Sequence, residues 1–470
     1  MSQYTLKMQE IFQVDRTIED CFQYTVDFST ISEWDHTVVQ SAKTSKGAIQ
    51  KGTQFDIVLK MGVKKTPMKY EITEFDFPKR AVLVGEAGSF KAIDTVQFKK
   101  ITPTTTQVTW AAEITFFGIS AKLIPKFESS IRKSGTKTIE GLKQALEDNF
   151  DVPAYSKNLK FADSLIFPGM FLFTKYGYQM AKDRWHPVSA SVVGKHIVLT
   201  GATSGLGLAA AEALAHKGAH LTLVARSLDK ANIIKNNLID LTGNTEIQIE
   251  IADMSLMADV VALANRLHNK GKKIDVLINN AGALFNERKV TGESLERSFA
   301  LLLLGPYILT EQLIPLLAAD GRVVNVSSGG MYSQKLRVDD LEFKKGKFNG
   351  SIAYARAKRG LMIATELWAE TYKNTGLSFN AMHPGWADTP GVVDALPGFY
   401  KVTKGVLRTA AEGADTIVWM AVASEARKLN GQFLLDRTPH PAHLMSKTKS
   451  NEAERKQLAV SLEEYSKRFV

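Results

Sequence analysis

The sequence predicts an α/β protein built on a doubly wound parallel sheet, preceded by a smaller α+β domain in which an antiparallel sheet grips one long helix. Three observations carry this. After Lys195 short apolar strands alternate with helical segments; the first strand breaks into the glycine-spaced stretch Thr200-Gly201-Ala202-Thr203-Ser204-Gly205-Leu206-Gly207; and residues 1 to 150 hold period-two runs that end in one stretch of helical period. Strand-helix alternation demands crossover connections, and hence a mainly parallel sheet covered on both faces.

At 470 residues the chain exceeds one ordinary core. We expect a ligand-binding domain over 1–150, a linker and leader over 151–194, and the α/β domain over 195–470. Hydrophobic content of 44% and charged content of 23% suit a globular protein. The net charge of +10 is diffuse, residues 1 to 150 being nearly balanced, so nucleic acid is not an expected partner. Weak attraction to an anionic membrane surface or a phosphorylated cofactor fits better. Cys21 is the only cysteine, which rules out an internal disulfide or a cysteine metal site, and no metal is expected. The amino terminus alternates polar and apolar residues, and no run is expected to reach the about 18 to 20 apolar residues that span a bilayer. A cytoplasmic protein is the expectation.

In order, Tyr4 to Val14 reads as a strand and Thr17 to Val26 as a short helix with a polar start. Strands follow over Gln54–Leu59, Met68–Ile72, Ala81–Val84, Thr95–Phe98 and Gln107–Phe116, all rich in β-branched and aromatic residues. The period then changes. Ile124, Phe127, Ile131, Thr138, Leu142 and Leu146 form the stripe of a long amphipathic helix lying on a sheet. This order resembles the START-like, or polyketide-cyclase-like (SRPBCC), helix-grip domain. The resemblance implies an apolar cavity for a lipid, sterol or other greasy ligand. Trp34, Phe55, Phe90, Trp110 and Phe127 are candidates to line it, with plain core packing the alternative for each. Asp27, Glu33, Asp35 and His36 cluster near a helix end and read as solvated surface more than as catalytic groups.

The junction holds the apolar run Phe161 to Phe173, broken by Pro168-Gly169 and followed by Lys175, Lys182 and Arg184. Three readings stay open for it: packing, a lid over a substrate mouth, or peripheral contact with a membrane surface. Packing or a lid is favoured.

From Lys195 the strands are Ile197–Thr200, His220–Ala225, Ile247–Ile251, Val276–Asn279, Val323–Val326 and Phe379–Met382. The glycine loop after the first is where a dinucleotide fold needs it. Gly201 turns the chain, Gly205 lets backbone approach a pyrophosphate, and Gly207 packs the helix that begins near Leu206. The second strand runs into Arg226 without the acid that would hold a ribose 2′-hydroxyl. Arg226 instead offers a planar cation to a 2′-phosphate, so NADP(H) is expected over NAD(H). Tyr354 and Lys358 stand one helical turn apart on a shared face. An ammonium and an oxidised nicotinamide would both lower the phenol's pKa, fitting it to move the proton that accompanies hydride transfer. Ser328 ends the preceding strand, where it can hydrogen-bond the same carbonyl oxygen.

Together the glycine loop, Asn279-Asn280-Ala281-Gly282, Ser328 and Tyr354 with Lys358 resemble the short-chain dehydrogenase/reductase family, on a Rossmann fold. The resemblance implies carbonyl or alcohol chemistry on a hydrophobic substrate, with Tyr354 as acid/base, Lys358 on the ribose and tyrosine, and Ser328 on the substrate. It also implies Thr203, Ser204 and Leu206 in the cofactor site, and Asp253 near adenine. Asn279, Ala281 and Gly282 would lie beside the cofactor, and Pro384, Gly385 and Thr389 around the nicotinamide. His383 reads as structural. Association through helices like the one around Tyr354 is common in the family, so a homo-oligomer stays open. One departure matters: the family's catalytic asparagine aligns with Leu302, which removes the water relay from the lysine to solvent. The rival reading is an NADPH-binding lipid sensor or carrier with slight or no turnover.

Overall fold

The computed structural model describes residues 2–61, 64–154, 156–165 and 171–470. It divides into two compact units, one of residues 1–150, 186–191 and 240–243, the other of 151–185, 192–239 and 244–470.

The first unit is a seven-stranded antiparallel sheet in the order β1-β7-β6-β5-β4-β3-β2. The strands are β1 (Gln3–Val14), β2 (Val38–Lys43), β3 (Gln54–Met61), β4 (Lys64–Asp76), β5 (Arg80–Ala87), β6 (Phe90–Thr102) and β7 (Thr105–Phe117). The early helix, Ile18–Val26, starts where the Thr17 side chain accepts the Asp20 N–H. The long helix runs Glu128–Glu147 and ends with Asp148 in the left-handed region. It is shorter than its apolar stripe. Ile124 belongs to a separate 3₁₀ turn, Ile124–Lys126, which Pro125 favours, and Phe127 lies just ahead of the long helix. Phe127 is 56% exposed and does not line an interior; Trp34, Phe55, Phe90 and Trp110 are buried in one core. The acidic cluster does local structural work: Asp27 caps Ser29, Asp35 accepts from Thr37 and Thr138, and Glu33 accepts from Tyr24.

The second unit is an eight-stranded sheet in the order β10-β9-β8-β11-β12-β13-β14-β15. Its strands are β8 (His196–Thr200), β9 (His220–Ala225), β10 (Ile247–Ile251), β11 (Ile274–Asn279), β12 (Leu317–Val326), β13 (Ser378–Met382), β14 (Phe433–Leu435) and β15 (Thr438–His440). All pairings are parallel except β14 with β15. The chain winds outward from β8 to β10, then returns to β11 on the other side of β8. That reversal is a topological switch point, where strand ends open a crevice.

Of the apolar run 161–173, residues 166–170 lie outside the described residues. Phe173 is buried among Leu172, Met331, Tyr332 and Phe433, and Phe171 is 38% exposed. The burial of Phe173 fits packing or a lid. Contrary to the expectation that no run is long enough, one described stretch, Arg297–Leu316, is long and apolar enough to cross a membrane by length and composition. Its most apolar window is 67% buried, as in a core helix between sheet and solvent.

Candidate active site

At the switch point β8 ends in Thr200, and Gly201 turns the chain with φ of 69°, a region that side chains disfavour. Gly207 sits inside the helix Gly205–His216, where a Cβ would collide with the Gly201 carbonyl; only glycine lets helix and strand meet this closely. Gly205 opens that helix with φ of 53°, and a Cβ there would lie 3.2 Å from the Thr389 side chain. The first-turn amides of the helix are left without intrahelical partners, the geometry that binds a phosphate.

The loop after β11 is locked to this turn. Thr200 Oγ1 accepts the N–H groups of Asn280 and Ala281 at 3.0 Å each, and Asn280 Nδ2 donates to the carbonyls of Thr200 and Gly201 at 2.9 and 3.2 Å. Asn279 faces the other way. Its amide donates to Thr310 at 3.0 Å and Asn325 at 2.8 Å inside the core, so it supports β11 from beneath and does not join the cleft lining. The side chains of adjacent strand residues point to opposite faces, which sets the two asparagines apart.

A cleft of about 670 Å³ opens along these strand ends. Its lining includes Gly201, Thr203, Ser204, Gly205, Leu206 and Gly207, with Arg226 and Asp253, and with Ala281 and Gly282. Ser328, Tyr354 and Lys358 line it with Pro384, Gly385 and Thr389. Arg226 is exposed at the end of β9, and Asp253 caps its own turn by accepting from Ser255. These sequence-predicted residues therefore converge in one place, Asn279 excepted.

Tyr354 and Lys358 project from the helix Gly350–Thr371, which starts where the Asn349 side chain accepts the Ile352 N–H. Lys358 is buried, donates to the Val326 carbonyl at 2.5 Å, and stands 5.9 Å from the Tyr354 ring centroid. Burial pulls its ammonium down to about 7. Burial also raises the Tyr354 phenol, and a hydrogen bond from Ser328 works against that rise. The lowering expected from Lys358 is thus not what the protein alone provides, because desolvation acts on both groups. Ser328 is further fixed by accepting the Gly330 N–H at 3.1 Å.

Leu302 is fully buried in a π-helical turn, Ala300–Leu304. A Cβ built on Gly282 would meet its Cδ2 at 3.1 Å and Lys358 Nζ at 3.7 Å. Leu302 and the lysine thus both border Gly282.

Three supporting groups escaped sequence reasoning. Asn280 is one. Arg359, wholly buried, donates to the carbonyls of Gln334, Ala442 and Met331 and so holds the segment after Ser328. Arg408 donates to the carbonyls of Leu172 and Thr174 and pairs with Asp436, tying the leader to the end of β14. His383 is buried with no hydrogen-bond partner on either ring nitrogen, and its ring meets the Phe173 ring edge-on at 4.3 Å between centroids. Burial keeps it neutral. Among the described residues no group of three or more His, Cys, Asp or Glu is placed to hold a metal.

Residues 195–397 match the model described as short chain dehydrogenase, and residues 5–147 match that of polyketide cyclase / dehydrase and lipid transport. The chain is 40% identical over 307 residues to dehydrogenase/reductase SDR family member 12 of Bos taurus, covering 64% of this chain and 96% of that one. It is 27% identical to retinol dehydrogenase 13 of Homo sapiens, covering 54% of this chain and 81% of the relative. Among solved structures it is similar to angucycline C-6 ketoreductase LanV with bound NADP, at TM-score 0.44 and 22% identity, covering 54% of this chain and 96% of that one.

Proposed function

Because the chain belongs to the short-chain dehydrogenase/reductase family, we propose that residues 195–470 form an NADP(H)-dependent oxidoreductase acting on a hydrophobic ketone, aldehyde or alcohol. Residues 1–150 bind a lipid-like or other apolar ligand in this reading, and 151–194 join the two. The single observation that carries it is the convergence of the glycine turn with Ser328, Tyr354 and Lys358 in one cleft.

The residues present fit such a cofactor. The turn leaves room for backbone alone at Gly201 and Gly207, the helix starting at Gly205 offers free amides, and Arg226 supplies an exposed cation to the same cleft. When bound, NADP(H) supplies or accepts the hydride. Tyr354 gives or takes the proton at the substrate oxygen, and Ser328 orients that oxygen with its hydroxyl. Lys358, on the same helix face as Tyr354 and held by the Val326 carbonyl, would hold a cofactor ribose. A ribose hydroxyl or phosphate near Lys358 offsets its desolvation and favours its charged form. Tethering an apolar-ligand domain to the reductase raises the local concentration of a shared ligand.

Leu302 favours a second reading, a protein that binds NADPH but turns over slowly or not at all, serving as a lipid sensor or carrier. Oxidation of NADPH across a panel of long-chain aldehydes and apolar ketones separates the two. Consumption of NADPH with at least one carbonyl supports the enzyme; one NADPH bound per chain and none consumed supports the carrier. The cofactor preference has its own test. Arg226→Ala is expected to weaken NADPH binding about tenfold or more, the scale of a lost charge-assisted contact, while leaving NADH binding nearly unchanged. Equal NADPH and NADH affinities that Arg226→Ala leaves alone would contradict it.

A further inference from the structure

The first unit holds an acid where an ordinary core has none. Asp94 lies on the inner face of β6, opposite Leu83 of β5 and Ala112 of β7, and is 7% exposed. Its two oxygens each accept one hydrogen bond, from Tyr70 Oη and from Trp110 Nε1, both at 3.0 Å. Around it is a cluster of rings. Phe28 packs on Tyr70 at 5.0 Å between centroids, on Phe55 at 6.0 Å, and parallel to Trp110 at 6.1 Å. Trp34 meets Trp110 edge-on at 5.8 Å.

Two features of this cluster are unaccounted for by packing. A carboxylate among aromatic rings is strongly disfavoured unless it is paired, yet the charge acting on Asp94 is Asp35, of like sign. Burial pushes the Asp94 carboxyl up to about 6, and with only one hydrogen bond on each oxygen the group keeps lone pairs able to accept another. Second, Trp34 Nε1 is buried with no hydrogen-bond partner. Buried indole N–H groups almost always have one. The cluster thus presents one acceptor with spare capacity and one donor with nothing to receive it.

We infer that this cluster is the polar end of a ligand site in the first unit, and that the ligand is an apolar molecule bearing a hydroxyl group. The hydroxyl donates to Asp94 and its oxygen accepts from the Trp34 N–H, while the rings of Phe28, Phe55, Tyr70 and Trp110 pack its apolar body. A hydroxyl is the simplest group that serves a free acceptor and a free donor together. It is also the group that the proposed chemistry of the second unit makes or consumes. The inference rests on residues 1–150 being an apolar-ligand domain, and the experiment separates the two claims.

The full chain is titrated with two matched pairs, 1-dodecanol against dodecyl methyl ether and cholesterol against cholesteryl methyl ether, and binding is read by calorimetry. Each ether keeps the apolar body and an acceptor oxygen but loses the donated proton. The alcohol of at least one pair is expected to bind about tenfold tighter than its ether, the scale of one hydrogen bond to a charged acceptor. Which pair responds distinguishes a linear from a polycyclic ligand. Asp94→Asn is expected to bring that ratio close to one. Trp34→Phe, which keeps a ring and removes only the N–H, is expected to weaken alcohol and ether alike, since both oxygens accept. Unchanged melting curves check that each variant folds. Equal binding of alcohol and ether in both pairs, or a ratio that survives Asp94→Asn, overturns the hydroxyl and leaves the apolar-ligand domain standing. If no member of either pair binds, both claims fall.

Discussion

Tyr354→Phe is expected to lower the rate of carbonyl reduction by about 10² to 10⁴-fold, the range of a lost general acid, with NADPH affinity within a few-fold of the parent. The phenylalanine keeps the ring in its place on the helix Gly350–Thr371 and removes only the hydroxyl that Ser328 engages. Lys358 stays anchored to the Val326 carbonyl, so the nucleotide side of the cleft is preserved. The measurement is initial NADPH oxidation at saturating nucleotide with any carbonyl the parent chain reduces, beside a nucleotide titration of both proteins. A variant as fast as its parent would remove Tyr354 from the chemistry. A variant that loses nucleotide binding as well would make its role structural.

Arg408→Ala carries the largest expected effect on stability. The guanidinium is 1% exposed and sits between the Asp436 carboxylate, 2.8 Å from Nη2, and the carbonyls of Leu172 and Thr174. Burial raises the Asp436 carboxyl and the arginine opposes that rise, so truncation leaves an acid buried with no counter-charge. The expected loss is about 3 to 5 kcal/mol, which in a unit of this size lowers the melting midpoint by about 5 to 8 °C. Two units melt separately in principle, so the relevant transition is the one that NADPH moves upward. Arg408→Met combined with Asp436→Asn is expected to recover part of the loss, since the amide carries no uncompensated charge and tolerates the left-handed backbone at that position. A single-variant loss below about 1 kcal/mol, the scale of an exposed pair, would show that the leader does not depend on this anchor.

The order of strands and helices was legible because both units follow simple periods: alternation on β6 and β7, continuous apolar runs on β8, β9 and β11. The edges were not. β14 and β15 are three residues each, and Pro439 interrupts the pattern, so nothing in Phe433 to His440 announces a hairpin. β2 alternates too weakly to stand apart from the loop before it. The apolar stripe placed Ile124 and Phe127 on a helix because periodicity does not register where Pro125 breaks it.

Within the site, residues that act through glycine geometry or helical spacing could be named from sequence, because Gly201, Gly207, Tyr354 and Lys358 have fixed local tasks. Residues whose task depends on distant chain could not. Arg408 follows an apolar stretch and reads as surface until the leader folds over it, and Arg359 is one of several charges on its helix until three carbonyls are seen around it. Choosing Asn279 over Asn280 was a matter of which face of the strand end looks into the cleft, which a motif alone does not encode.

The arrangement stands or falls on where a nicotinamide comes to rest, and a crystal structure of the chain with NADP⁺ measures that directly. The expected result is a pyrophosphate on the amides that follow Ser204, a 2′-phosphate against Arg226, and the reactive ring carbon facing the Tyr354 hydroxyl with Pro384 and Gly385 behind it. A nucleotide bound elsewhere, or bound here with its nicotinamide turned away from Tyr354, would contradict it.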